Sequence, residues 1–173
     1  MPEIVESGDP ARIISFVEEM DRSDRENQKI IAEILASGWP ENLSRKANSA
    51  IFLVVDHANL DYQKQYRPLL EDAAERGIIP KSNWATLEDR ILMGENKKQI
   101  YGTQTKAFLT LSEGKSVYYM WPIEDAGNVD ARRQEIGLPP LAEYLEIMES
   151  YMGQPVIWEP ELSVEELLKK GEQ

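Results

Sequence analysis

The 173-residue sequence predicts a mainly α, compact single-domain helical bundle with one β-hairpin insertion. Apolar residues recur at helical spacing between Ile13 and Leu92, and glycine and proline punctuate those stretches. One interval, Ala107 to Trp121, changes period and is rich in aromatic and β-favouring residues. A chain of this length can bury a substantial core without staples.

Asp9-Pro10 has the residue types of a helix start, because Asp caps free N–H groups and Pro suits the first helical position. Ile13, Ile14, Phe16, Val17 and Met20 follow as a short amphipathic helix. Ser23 or Asp24 opens a second one with Ile30, Ile31, Ile34 and Leu35 inward, and Gly38-Trp39-Pro40 stops it. The segment Leu43 to Val55 is compatible with a buried strand or a buried helix. Helix is favoured, since Ala47, Ala50, Ile51 and Val54 share a face and no neighbouring segment offers a partner strand.

Asn59 or Asp61 caps the next helix, with Tyr62, Tyr66, Leu69, Leu70 and Ala73 inward and Gly77 at its end. Pro68 inside that pattern predicts a kink or a later start. Pro80-Lys81-Ser82 reopens a helix through Trp84, Leu87, Ile91 and Leu92 to Gly94. Ala107–Leu111 and Ser116–Trp121 form the hairpin around Glu113-Gly114-Lys115. A short helix runs from Asn128-Val129-Asp130 to about Ile136, and Gly137-Leu138-Pro139-Pro140 leads into another that reaches Met152. In the tail, 153–173, Ser163-Val164-Glu165-Glu166 is a capping-box pattern for a peripheral helix. No repeat and no low-complexity linker divides the chain, so one domain over 1–173 is expected.

Composition narrows the function. With 42% apolar and 29% charged residues, extended disorder is not expected. The absence of cysteine excludes disulfides, thiolate nucleophiles and cysteine-ligated metals, and a single histidine argues further against zinc, so neither metal nor cofactor is expected. Nineteen basic against thirty-one acidic side chains give a net charge of -12, which argues against nucleic-acid binding and fits either plain solubility or a basic partner. No apolar run approaches the roughly 18 to 20 residues of a membrane span, and the acidic start lacks a secretory signal, so a cytoplasmic protein off the membrane is expected.

The polar residues of the middle stretch are the candidate site. His57, the only histidine, follows the apolar block Ala50–Val55 and titrates near neutrality, as general acid–base catalysis requires. The alternative is a histidine that caps the helix's free carbonyls. Asp89 and Arg90 are adjacent on a helix and point about 100° apart, so at most one faces a given cavity. Arg90 has the planar fork that grips carboxylate or phosphate, and either residue equally suits a structural ion pair. In Gln99-Ile100-Tyr101-Gly102-Thr103-Gln104, Gly102 permits close backbone approach while its neighbours supply donors and acceptors. The alternative is a turn that satisfies buried backbone. Arg132-Arg133 reads as an anion site or as two exposed arginines balancing carboxylates. No P-loop, dinucleotide fingerprint, G-x-S-x-G elbow or H-E-x-x-H helix is present.

As an ordered set, Gly38-Trp39-Pro40, His57-Ala58 with Gln63, Leu69-Leu70, Asp89-Arg90, Lys98–Gln104, Pro122-Ile123, Val129–Arg133 and Gly137–Leu141 resembles an uncharacterised bacterial domain family over roughly Asp21 to Tyr144. Members carry Gln before the histidine where this chain has Asp56, an acidic neighbour that favours the protonated imidazole. The resemblance implies a shared polar site made of His57, Gln63, Asp89, Arg90, Gln99, Tyr101, Thr103, Gln104 and Arg133. Three functions are weighed. The first is a metal-independent enzyme, such as a hydrolase or lyase, with His57 as acid or base on a small polar or anionic molecule. The second is an acidic immunity or binding protein that neutralises a basic partner such as a bacterial toxin, and the third is a ligand sensor without chemistry.

Overall fold

The computed structural model describes residues 10–110 and 115–171. Among these the chain forms seven α-helices and a three-stranded sheet, a mainly α architecture. It divides between Asn59 and Leu60 into two compact units.

The first unit is a helix pair. α1 spans Pro10–Leu35 as one continuous helix, where two had been expected; the expected cap at Asp9 lies outside the described residues. Asp21-Arg22-Ser23 contains neither glycine nor proline, and an established helix continues through residues of middling propensity at small cost. Ile31 and Leu35 are buried, but Ile30 and Ile34 are not, and Ile13, Ile14, Val17 and Met20 leave an apolar stripe in solvent. Gly38, at φ +99°, turns the chain, and buried Trp39 donates from Nε1 to Asn48 Oδ1 at 3.0 Å.

α2, Arg45–Asp56, resolves the strand-or-helix choice as helix. The Ser44 hydroxyl caps it by accepting from the Ala47 N–H at 3.2 Å. Its buried face is Asn48, Ile51, Phe52, Val55 and Asp56, rotated from the expected one; Ala50 is exposed and Val54 only half-buried. Asn48 can turn inward because Trp39 gives its amide oxygen a partner.

The second unit begins with α3, Leu60–Glu75, and α4, Lys81–Gly94, packed on each other. α3 includes Pro68, so its start is not delayed. Tyr66, Leu70, Ala73 and Ala74 of α3 and Ala85, Leu87 and Ile91 of α4 are buried. Arg67 on α3 forks onto the Glu88 carboxylate of α4, and Lys64 and Lys97 both reach Glu95.

β1, Thr105–Thr110, pairs antiparallel with β2, Lys115–Met120, in the register Phe108 opposite Val117; the turn at Glu113-Gly114 lies outside the described residues. α5 is Val129–Glu135, after a single 3-10 turn at Ala126–Asn128, and α6 is Leu141–Met152. A third strand, β3, Val156–Ile157, lies parallel to β2 and was not expected.

Met120, Ile123, Val129, Leu141 and Val156 form a core cluster against which Tyr144, Leu145, Met148 and Met152 of α6 pack. α7, Val164–Lys170, carries the expected capping box between Ser163 and Glu166. The tail, expected to be peripheral, instead carries a strand of the sheet and the fully buried Leu167.

The Lys64 and Lys97 ammonium groups hold the Glu95 carboxyl down, from 4.5 to about 2. A carboxyl depressed on folding stabilises the native state above its unfolded pKa, and that contribution fades as pH falls through the folded one. Glu95→Gln is therefore expected to melt below the parent at neutral pH and to converge with it as pH is lowered from 4.5 toward 2. A gap in melting temperature that stays constant over that range would contradict the assignment.

Candidate functional site

Loop 99–104 is largely buried, with Ile100 and Tyr101 half-buried, yet belongs to neither helix nor strand, so its backbone groups need partners from elsewhere. α4 supplies the first. Asp89 is fully buried, and its Oδ1 accepts from Ile100 N–H at 2.7 Å and Tyr101 N–H at 3.0 Å. Its Oδ2 accepts from Thr103 N–H at 3.0 Å and the Thr103 hydroxyl at 2.9 Å. Burial holds the Asp89 carboxyl above the usual carboxylate range, opposed by the bonds from Tyr101, Ile100 and Thr103, which favour the ionised form. The offset of about 100° between neighbouring helical residues that buries Asp89 leaves Arg90 only half-buried.

Gln99 supplies the second set from within the loop. Its Oε1 accepts from Thr103 and Gln104 N–H, both at 2.9 Å, and its Nε2 donates to Gln104 O at 3.0 Å and Trp121 O at 2.6 Å. The Gln99 backbone bonds across to the chain leaving the hairpin, N–H to Pro122 O at 2.9 Å and carbonyl from Glu124 N–H at 2.8 Å. Gln104 Nε2 donates to Thr86 O at 3.3 Å.

The remaining carbonyls are met from α5 and α6. Arg132 Nε donates to Ile100 O at 3.0 Å, and Arg133 Nη1 donates to Tyr101 O at 2.6 Å and Gly102 O at 3.0 Å. The Tyr144 hydroxyl donates to Thr103 O at 3.2 Å, and Trp121 N–H to Gln104 O at 3.0 Å. All six carbonyls from Gln99 to Gln104 thus accept a bond.

Arg133 is fully buried, with its guanidinium carbon 4.7 Å from the centre of the Tyr144 ring. Desolvation lowers its pKa, and burial raises that of Tyr144. The expectation of two exposed arginines fails because backbone oxygens, not carboxylates, are what these side chains chiefly reach.

Gly102 sits at φ +69°, and a Cβ there would lie 2.8 Å from Ile123 Cδ1 and 3.1 Å from Leu141 Cδ1. The close approach that glycine permits is to the protein's own core. Tyr101 is half-buried with its ring edge-on to Trp84, and burial, then the Asp89 charge, raises the pKa of its hydroxyl.

Asp89, Gln99, Thr103, Gln104 and Arg133 therefore meet in one hydrogen-bonded knot around the loop, joined by the Tyr101 backbone. Gln63 is buried on α3. Arg132, read with Arg133 from the sequence as an anion site or an exposed pair, completes the knot with Trp121 and Tyr144, and nothing in the local pattern singles out Tyr144.

His57 belongs to the first unit and is exposed, while the preceding Asp56 is buried. It ends α2 through its backbone, which donates to Leu53 O at 3.0 Å, so the imidazole is not what caps the helix. With Met20, Asp24, Gln28, Leu53 and Val54 it lines an open hollow of about 350 Å³. Among the described residues no cluster of three or more His, Asp or Glu could hold a metal ion, and no helix is long and apolar enough to cross a membrane.

Removing the Asp89 carboxylate leaves the Ile100 and Tyr101 N–H groups and the Thr103 hydroxyl without an acceptor, while Thr103 N–H keeps Gln99 Oε1. Asp89→Ala is expected to lower unfolding free energy by about 3–5 kcal/mol in denaturant titrations. Asp89→Asn, which retains one acceptor oxygen, is expected to lose less. A loss below about 1 kcal/mol for the alanine variant would show that the loop does not depend on this group.

No curated protein and no solved structure matches the chain. A family model matches residues 2–157, in line with the expected resemblance to a domain family of unknown function, and the chain belongs to that family of unknown function, DUF6624.

Proposed function

We propose that the chain is an acidic binding protein that engages a basic partner protein. The observation that carries this reading is the distribution of charge. Between Arg133 and Lys169 there is no basic side chain, while Glu135, Glu143, Glu146, Glu149, Glu159, Glu161, Glu165 and Glu166 fall in that interval. Glu159 is paired with Lys170 at 2.8 Å, and the remaining carboxylates leave an excess of negative charge that steers an oppositely charged protein and speeds its association. Support comes also from the knot at loop 99–104, most of whose polar groups bond to the protein's own chain and so are engaged before any substrate arrives; Arg133 Nη2 is the buried exception.

Passing a host lysate over the immobilised chain, eluting with rising salt and identifying what is retained tests the reading. The expected result is a retained basic protein whose association rate falls steeply with ionic strength. Retention of only neutral or acidic proteins, or a salt-insensitive rate, would overturn it.

The hollow beside His57 favours a second reading, a metal-independent site for a small polar molecule in which the imidazole moves a proton or senses a ligand. Asp24 and Gln28 would hold the ligand's polar groups. A metabolite panel read by thermal melting is then expected to give saturable stabilisation that His57→Ala removes. Equal stabilisation of parent and variant would place the ligand elsewhere.

A further inference from the structure

α6 presents two faces of opposite character. Leu141, Tyr144, Leu145, Met148 and Met152 belong to or pack against the core cluster. On the other side Glu143, Ile147 and Tyr151 succeed one another at four-residue intervals, a single stripe along a helix, flanked by Glu146 and Ser150. Ile147 is 52% and Tyr151 90% exposed, and these five residues make up one open, shallow face of the helix. Two large side chains held in water along one stripe are what an interface needs and what a solvated face does not.

The chemistry of the occupant follows from charge. α6 contains no lysine or arginine, and its last turn has no basic residue to meet the negative end of the helix. Glu149 is turned toward β3, where it accepts from Val156 N–H at 3.3 Å, so the outward charges are Glu143 and Glu146. The other apolar stripe, on α1, is interspersed with Arg12, Arg22, Arg25 and Lys29 as well as acidic residues, and so selects no sign of partner.

We propose that the Ile147–Tyr151 face of α6 is the docking surface for a lysine- and arginine-rich segment of a partner protein that brings one apolar anchor. The anchor lies along Ile147, an arginine stacks on the exposed Tyr151 ring, and further cations meet Glu143, Glu146 and the carbonyl end of the helix. This assignment rests on the binding reading above.

A fluorescein-labelled amphipathic peptide of leucine and arginine, titrated by anisotropy against the full chain, tests it. The comparison uses Ile147→Ser with Tyr151→Ser, Glu143→Gln with Glu146→Gln, and, as a control with the same change in net charge, Glu18→Gln with Glu19→Gln on α1. Each α6 pair is expected to weaken binding about tenfold or more and the control less than about twofold, with melting curves confirming that every variant folds. Equal weakening by both charge pairs, or none from the serine pair, would overturn the assignment to α6 and leave the binding reading standing. No binding by the parent at low ionic strength would overturn both.

Discussion

A buried stretch of backbone without regular structure must find a partner for each polar group, and in this protein that requirement governs the second unit. Loop 99–104 joins α4 to β1 along the chain. Its amides turn to Asp89 and Gln99, and its carbonyls to Arg132, Arg133 and Tyr144, with Gln99 also bonded to the strand-exit carbonyl of Trp121. Four elements distant in sequence are thereby tied to one short segment. The apolar cluster of Met120, Ile123, Val129, Leu141 and Val156 lies against the same segment at Gly102, where there is no room for a side chain. Polar satisfaction and apolar packing here impose a single arrangement, and each would be poorer without the other.

The same fact bears on how the ordered motifs are understood. Asp, Gln, Thr and Arg brought together in a cavity suggest binding or catalysis; brought together around backbone they form a clamp. The distinction depends on where donors and acceptors find each other, and in this knot all but Arg133 Nη2 of the described groups chiefly find the chain itself. The proposed readings rest instead on surfaces: the hollow beside His57, the acidic C-terminal interval and the outer side of α6.

Most helices were legible because their signals are local. Pro80, Gly77 and the Ser163–Glu166 box mark ends by chemistry confined to a few neighbours, and the change of period at Ala107 marks the hairpin. What was not legible depends on distant partners. β3 has two residues and exists because β2 lies beside it, so no periodicity announces it. The inward turn of Asn48 requires Trp39, and the burial of Arg133 requires carbonyls at Tyr101, Gly102 and Pro139. The unbroken course of α1 past Ser23 shows a capping residue that is passed over when the preceding turn already holds its hydrogen bonds. Of the candidate residues, Asp89, Gln99, Thr103, Gln104 and Arg133 do lie together, although a sequence gives no means of telling a pocket lining from a brace.

The mounting of α6 carries a consequence of its own. Asp130 Oδ1 accepts from the Leu141 N–H at 2.7 Å, Tyr144 is bonded to loop 99–104, and Glu149 reaches back to Val156, so the helix is fastened at its start, along its length and near its end. A surface mounted in that way is preorganised: a binding event there has little backbone entropy left to remove. Whatever affinity its few outward side chains can generate is then retained rather than consumed in ordering the scaffold beneath them.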